Sequence, residues 1–412
     1  MQLPSNSSPA PRVLHVSQPV DGGVARVVVD LVRAQRAAGM DVHLACPDGG
    51  TLARSVGPVP VHPWAAARSP GPGLRAEVRD LARVVDAVRP TLVHAHSAKA
   101  GLAARVAVRG RVPTVFQPHA WSFEAVDGSV ALLARTWERH AARWTARTLC
   151  VSAAERDTGR RAGIAGPCTI VPNGIDPERF VPGERGVARA ELLFGGGGPL
   201  PGGGGPSGPD GSRAVDAPWV VCVGRLCRQK GQDVLLRAWP TVVARVPGAR
   251  LVLVGDGPDA AALRAGLAGA VGAADGVGSS VTFVGAADDT APWYRAADVV
   301  VQPSRWEGMA LAPLEAMSCA RPVVLTDVDG ARESLPPAHH AHALVPPEDP
   351  DALAAALTAL LRDPALRESL GAQGRAHVLD HHDVRRTATA VEAVYRELLG
   401  PAPIEHRECS TT

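Results

Sequence analysis

Short apolar runs separated by longer amphipathic stretches recur along most of the chain. Val13–Ser17 reads as a strand, and Gly22-Gly23 leads into a helix from Val24 that stops at Gly39. Further strands are expected at 42–45, 91–95, 113–117, 148–151 and 168–171, with helical stretches between most of them. Such alternation predicts a parallel sheet covered on both faces, with ligands at the carboxyl ends of its strands. At those ends stand Gly22-Gly23, His94-Ala95-His96, Pro118-His119, Ser152 and Asn173-Gly174. The pattern collapses between 183 and 217, where the Gly-rich run 194–212 lacks the side chains to build a core and reads as a flexible loop. Alternation then resumes, with strands expected at 219–223, 250–254, 280–284, 298–302, 322–325 and 342–345, and helices at 351–361, 364–379 and 383–399. The expected fold is α/β: two Rossmann-like, doubly wound domains facing a central cleft. They span 12–182 and 218–380, joined by a Gly/Pro-rich loop (183–217) and followed by a closing helix (381–400) and a frayed tail (401–412).

Length and composition fit this picture. A chain of 412 residues exceeds what one core usually organises, and 46% apolar with 20% charged residues excludes disorder or collagen-like repeats for most of it. No apolar stretch approaches the roughly 18 residues of a membrane span, and the first residues lack the layout of a signal peptide. Seven scattered Cys without a CxxC pair argue for reduced thiols in a cytosol and against a zinc ribbon. Charge is divided unevenly: residues 1–190 carry 24 Lys+Arg against 15 Asp+Glu, and the remainder 19 against 26. A basic front half and an acidic back half suggest different partners. Lys99 and Lys230 are the two lysines among 43 basic residues, so each marks a place where a compact point charge is used instead of a planar fork.

Two segments carry the densest chemistry. In the stretch from Pro303 to Met317, a strand gives way to Glu307-Gly308 and then to a helix. Backbone N–H groups from Gly308 onward would face an anion at the positive end of the helix dipole. Glu307 and Glu315, eight residues apart, would lie on one helix face two turns apart and bind hydroxyls flanking a phosphate; two solvated glutamates are the alternative, outweighed by the strand, Gly and helix start falling together. In the stretch from Val223 to Gly231, also after a strand, Gly224 and Gly231 permit close backbone approach while Arg225 and Lys230 bring two cations to one loop. Together these segments would hold a diphosphate.

The order G-R-L-x-x-x-K-G, then S-x-x-E-G with L-E-A-M, resembles the retaining GT-B glycosyltransferases of family 4. Gly22-Gly23-Val24-Ala25-Arg26, Pro118-His119 and Asn173-Gly174-Ile175-Asp176 are similar to the same family in the same order. The resemblance runs from about 12 to 400. It implies a nucleoside-diphosphate-sugar donor on the second domain and an acceptor on the first. Arg225 and Lys230 would hold the diphosphate, Glu307 the sugar hydroxyls, the amides of Gly308, Met309, Ala310 and Leu311 the sugar and phosphates, and Glu315 the ribose. Gly23 would bring a first-domain amide to the phosphates, and His119 would position or polarise groups at the reacting sugar. The family retains anomeric configuration by same-face attack, so no protein nucleophile, cofactor or metal is expected.

His94-Ala-His96-Ser-Ala-Lys99-Ala-Gly101 is similar to a segment of family members that extend polyprenyl-diphosphate-linked sugars. His96, Lys99 and His119 are therefore the expected acceptor contacts, with Arg105 near an anionic, lipid-linked acceptor. The HxH spacing by itself is half a metal site without an evident third ligand. Arg135, Arg139, Arg143 and Arg147 fall at i, i+4 spacing on an expected helix over 130–147 that also carries Trp137 and Trp144. That helix would rest on anionic lipid or simply be solvated, so the expected location is cytoplasmic, with peripheral contact at the inner membrane face and no nucleic-acid partner. Gly255-Asp-Gly257-Pro-Asp-Ala260 fits a dinucleotide fingerprint but is read as a tight turn lining the sugar-nucleotide pocket, and Asp327-Val-Asp329 is not read as a metal site. Rival readings are a UDP-N-acetylglucosamine 2-epimerase-like enzyme, an NAD-dependent oxidoreductase and a non-catalytic nucleotide-sugar-binding protein.

Overall fold

The computed structural model describes residues 11–68, 70–194, 215–270 and 277–400. They fall into two compact units. The first comprises the chain to Val151, Arg156–Val171 and the segment from Arg385; the second comprises Ser152–Glu155 and Pro172–Val384. Each unit is built on a parallel sheet, as the alternation predicts.

In the first unit the strands are β1 (Arg12–Ser17), β2 (Asp41–Cys46), β3 (Val61–Pro63), β4 (Leu92–His96), β5 (Thr114–Gln117), β6 (Arg147–Cys150) and β7 (Cys168–Ile170), in the order β3-β2-β1-β4-β5-β6-β7. The order reverses between β1 and β4, where doubly wound sheets receive ligands. The register sets His15 beside His94 and Ser17 beside His96. The helix Gly23–Ala37 covers one face with Ala25, Val28, Leu31 and Val32, an apolar stripe at helical spacing that the buried Gln35 continues, and the chain turns away at Gly39 with φ +83°. The helix Val384–Leu399 lays Ala388, Val391, Val394 and Tyr395 onto the core formed by Val13, Leu92, Val115 and Leu149.

The second unit carries β8 (Trp219–Val223), β9 (Arg250–Val254), β10 (Val281–Gly285), β11 (Val299–Gln302), β12 (Val323–Thr326) and β13 (Leu344–Val345), in the order β10-β9-β8-β11-β12-β13. Its switch point lies between β8 and β11, the strands that feed the two motif loops. Leu235, Trp239, Leu251, Leu253, Val299, Val301, Leu353 and Leu357 form its core. The helices Pro350–Arg362 and Pro364–His381 start alike, with Asp349 and Asp363 accepting hydrogen bonds from Ala352 N and Leu366 N and a Pro at the first helical position.

Two sequence expectations need correction. The expected loop over 183–217 is helical at its start, Arg185–Phe194, because the unbroken run of glycines begins only after Phe194 and the single Gly186 falls in the first turn. Inside that helix Arg189 is buried and pairs with Asp298 at 2.5 Å. The helix expected over 130–147 stops at Ala141 and passes through a 3-10 turn, and Arg147 already belongs to β6. The Arg stripe is broken accordingly: Arg139 Nε donates to Ala162 O, Arg143 lies over the Trp144 ring, and Arg147 pairs with Glu397 at 3.0 Å. The Gly-rich run from 195 to 212 and the tail 401–412 lie outside the described residues. Among the described residues no helix is long and apolar enough to cross a membrane.

Candidate functional site

At the switch point of the second sheet, the loop after β8 and the loop after β11 are stitched together. Arg305 is the main fastener. Its guanidinium grips Asp233 through two bonds of 2.8 and 2.7 Å, also pairs with Glu348, and donates to Arg228 O at 2.7 Å. Those carboxylates hold its pKa above the usual arginine range. Arg305 N also donates to Gln229 O and Gln229 Nε2 to Trp306 O. The glycines fit the same picture. A Cβ on Gly231, where φ is +65°, would sit 2.0 Å from Pro303 O. The fingerprint-like turn has a structural cause of the same kind: Cβ atoms at Gly255 and Gly257 would lie 2.0 Å from Gly224 O and 2.3 Å from Leu226 O. Those glycines let two strand-end loops touch.

Within this frame Lys230 Nζ donates to Glu307 Oε1 at 2.5 Å, and the same oxygen accepts from Ser304 Oγ at 2.7 Å and Gln302 Nε2 at 3.3 Å. The Lys230 chain runs over Gly224, and the next residue, Arg225, has its carbonyl held by Gln232 Nε2 at 3.1 Å. Among the described residues the Arg225 guanidinium has no carboxylate partner.

The segment Gly308–Leu311 is held from behind. Ser152 Oγ donates to Gly308 O at 3.1 Å and Asn173 Nδ2 to Met309 O at 2.8 Å. Gly330, at φ +75°, is pressed so closely that a Cβ there would lie 1.8 Å from Gly308 O. With the carbonyls engaged, the N–H groups of Gly308, Met309, Ala310 and Leu311 make no backbone hydrogen bond among the described residues. The helix itself starts only at Leu311, with Ala310 extended at its N-cap. Glu307 therefore precedes the helix, and the expectation that Glu307 and Glu315 share a helix face is wrong. Glu315 is buried and accepts from Tyr294 OH at 2.6 Å; burial raises its pKa to about 7. Asp327, half of the DxD, is paired with Arg332.

In the first unit Gly23 opens the helix after β1, preceded by Gly22 at φ +83°. His119 and Ala120 follow β5 at φ +56° and +90°, two consecutive side-chain-bearing residues in the left-handed region. His119 Nε2 lies 3.3 Å from His96 Nδ1, and burial lowers the His119 pKa to about 3, so its ring is neutral. His96 is fully buried and touches His15, so it stands behind His119 and is not itself a surface for an acceptor. Lys99 and Arg105 also depart from expectation. Lys99 is buried and pairs with Glu77 at 2.5 Å; Arg105 is buried, pairs with Glu138 at 2.8 Å and lies over the Phe116 ring. Both cations are neutralised inside the unit, which removes them as contacts for an anionic acceptor.

Sequence reasoning missed Arg305, Tyr294 and His15. It singled out Ser152 and Asn173 by their places at strand ends, without their task of holding the 308–309 carbonyls.

Residues 21–179 match the family model "Glycosyltransferase Family 4" and residues 217–363 match "Glycosyl transferases group 1". A GDP-mannose-dependent monoacylated alpha-(1-6)-phosphatidylinositol monomannoside mannosyltransferase of Corynebacterium glutamicum is 32% identical over 220 residues, 50% of this chain and 50% of that one. A lipopolysaccharide core biosynthesis mannosyltransferase of Rhizobium leguminosarum is 31% identical over 247 residues, 57% of this chain and 61% of that one. The chain thus spans about half the length of the curated relatives it matches. The structure of sucrose-phosphate synthase from Thermosynechococcus elongatus superposes with a TM-score of 0.76 at 25% identity, covering 94% of this chain and 99% of that one.

Proposed function

Because the chain belongs to glycosyltransferase family 4, with the GT-B fold of two Rossmann-like domains, we propose that it moves a sugar from a nucleoside-diphosphate-sugar to an acceptor with retention of configuration. One observation carries this reading: the Gly308–Leu311 amides, which make no backbone hydrogen bond among the described residues, the Arg225 guanidinium, without a carboxylate partner among them, and the Lys230 ammonium all belong to the loops at one switch point. Breaking a sugar–phosphate bond places positive charge on the anomeric carbon and negative charge on the departing diphosphate. Preorganised cations and amides lower that barrier. Arg225 grips a phosphate with its fork, while Lys230 exchanges Glu307 for the diphosphate oxygens. Glu307, already aimed by Ser304 and Gln302, then receives sugar hydroxyls, and Glu315 the ribose. The leaving phosphate takes the acceptor proton, so the reading needs neither a protein nucleophile nor a metal at the diphosphate.

The first unit takes the acceptor, with the neutral His119 positioning or polarising groups at the reacting sugar and Gly23 offering an amide. The acceptor is a lipid-linked or otherwise anionic glycan, a class supported by the names of the mannosyltransferase relatives. Val130, Leu132 and Leu133 project into solvent from the helix Gly128–Ala141 and supply an apolar foothold for peripheral membrane contact. Sedimentation with anionic vesicles at low and high salt tests that contact; vesicles that leave the protein in the supernatant at both refute it.

The donor test is a thermal-shift screen of GDP-mannose, UDP-glucose and ADP-glucose, with GDP-mannose first because of the relatives' names. A true donor at a hundred times its Kd adds about 2.7 kcal/mol of apparent stability, and Lys230→Ala abolishes the shift. No stabilisation by any sugar nucleotide overturns the reading.

A further inference from the structure

At the switch point of the first sheet, three imidazoles stand on one sheet face. His94 and His96 are two residues apart on β4, and β1 sets His15 directly beside His94. All three are completely buried, and one nitrogen from each lies within 4.8 Å of one from each of the others. The hydrogen bonds sort the six ring nitrogens into outer and inner sets. On the outside, His15 Nε2 meets Gln35 Oε1 at 2.8 Å, His94 Nδ1 meets Tyr395 OH at 2.6 Å, and His96 Nδ1 lies 3.3 Å from His119 Nε2. On the inside, His15 Nδ1 and His96 Nε2 are 3.0 Å apart, and His94 Nε2, near the Gln117 side chain, has no partner within hydrogen-bond distance among the described residues.

We propose that His15, His94 and His96 form a binding site for a first-row divalent cation, zinc above all, through His15 Nδ1, His94 Nε2 and His96 Nε2. Three observations support it. Two ligands at about 2.05 Å from one tetrahedral ion stand roughly 3.3 Å apart, close to the His15–His96 spacing. Each ring has its other nitrogen held by an outer partner, the arrangement that orients metal-binding imidazoles. A buried nitrogen without a partner is costly, and a cation would satisfy His94 Nε2. An all-imidazole donor set suits zinc, copper, nickel or cobalt, and excludes magnesium and calcium, which take oxygen ligands. The three histidines belong to the first unit and the residues of the proposed diphosphate clamp to the second, and sugar transfer as proposed above does not pass through a metal at the histidines.

The test uses the full-length chain, stripped by chelator and titrated with Co²⁺ alone, then with Zn²⁺ in competition. One equivalent of Co²⁺ is expected, with the visible bands of four-coordinate cobalt, displaced by Zn²⁺. His94→Gln and His15→Asn should each weaken binding by about 100-fold or more. His62→Ala and His381→Ala, which remove histidines elsewhere, should leave it unchanged. X-ray absorption on the zinc-loaded wild-type chain needs no variant and should count three imidazole nitrogens at about 2.0 Å. No binding by the wild-type chain, binding that survives His94→Gln, or fewer than three imidazoles around zinc each overturns the proposal. In the first case a shared proton between His15 and His96 accounts for their contact.

Discussion

Lys230 Nζ stands 2.5 Å from Glu307 Oε1, a contact that joins two loops 77 residues apart in sequence. The pair presets the clamp: a cation waits beside the carboxylate that is to read the sugar. Lys230→Ala should therefore lower kcat by about 100- to 1,000-fold, the scale of losing one preorganised charge at a developing anion. Lys230→Arg should not restore it, because a planar fork cannot occupy the point position over Gly224. Steady-state kinetics on both variants checks this, with melting temperatures confirming that each is folded.

Gly330→Ala should destabilise the second unit by about 2–4 kcal/mol, combining an unfavourable φ with a Cβ forced onto Gly308 O. Gly285→Ala is the matched comparison, since φ there is +86° but no atom lies within 4 Å of the added carbon. It should cost only about 1 kcal/mol. Urea unfolding of the two variants separates backbone strain from collision.

Glu315 has a folded-state pKa of about 7 against an ordinary 4.5, raised by burial. Between those values the folded chain holds a proton that the unfolded chain has released. Stability from this group thus falls as pH rises through that window and levels off above it. Glu315→Gln should flatten the decline and be more stable than wild type at pH 8, by up to about 3 kcal/mol, while matching it near pH 5. Unfolding curves across pH 5–8 measure the difference.

Lys99→Met should cost about 3–5 kcal/mol by stranding the buried Glu77 carboxylate. Adding Glu77→Gln should recover part of the loss. Acceptor KM should be unchanged in both, which distinguishes an internal ion pair from a substrate contact.

The sequence made the two parallel sheets readable because buried parallel strands and covering helices leave a periodic signature in the chain itself. Arg225, Lys230, Glu307 and Gly308 stood out as candidates for a similar reason, since each lies in the loop that follows a strand. What stayed hidden depends on partners distant in sequence. Arg305 is 72 residues from Asp233, Tyr294 is 21 from Glu315, and His15 meets His94 only through strand register. The opposite error arose from local spacing. Arg135 to Arg147 looks like one helical stripe because i, i+4 counting cannot see that the helix gives way after Ala141. Lys99 looked like a ligand because its partner, Glu77, lies on another helix.

The scarcity of lysine has a practical side. Lys99 is 3% exposed and locked to Glu77, whereas Lys230 is 20% exposed at the clamp. An amine-selective reagent thus meets a single reachable side-chain target in the described part of the chain, and that target reports on its own surroundings. Covalent labelling followed by peptide mass mapping becomes an occupancy gauge for the clamp, with no need to engineer a probe.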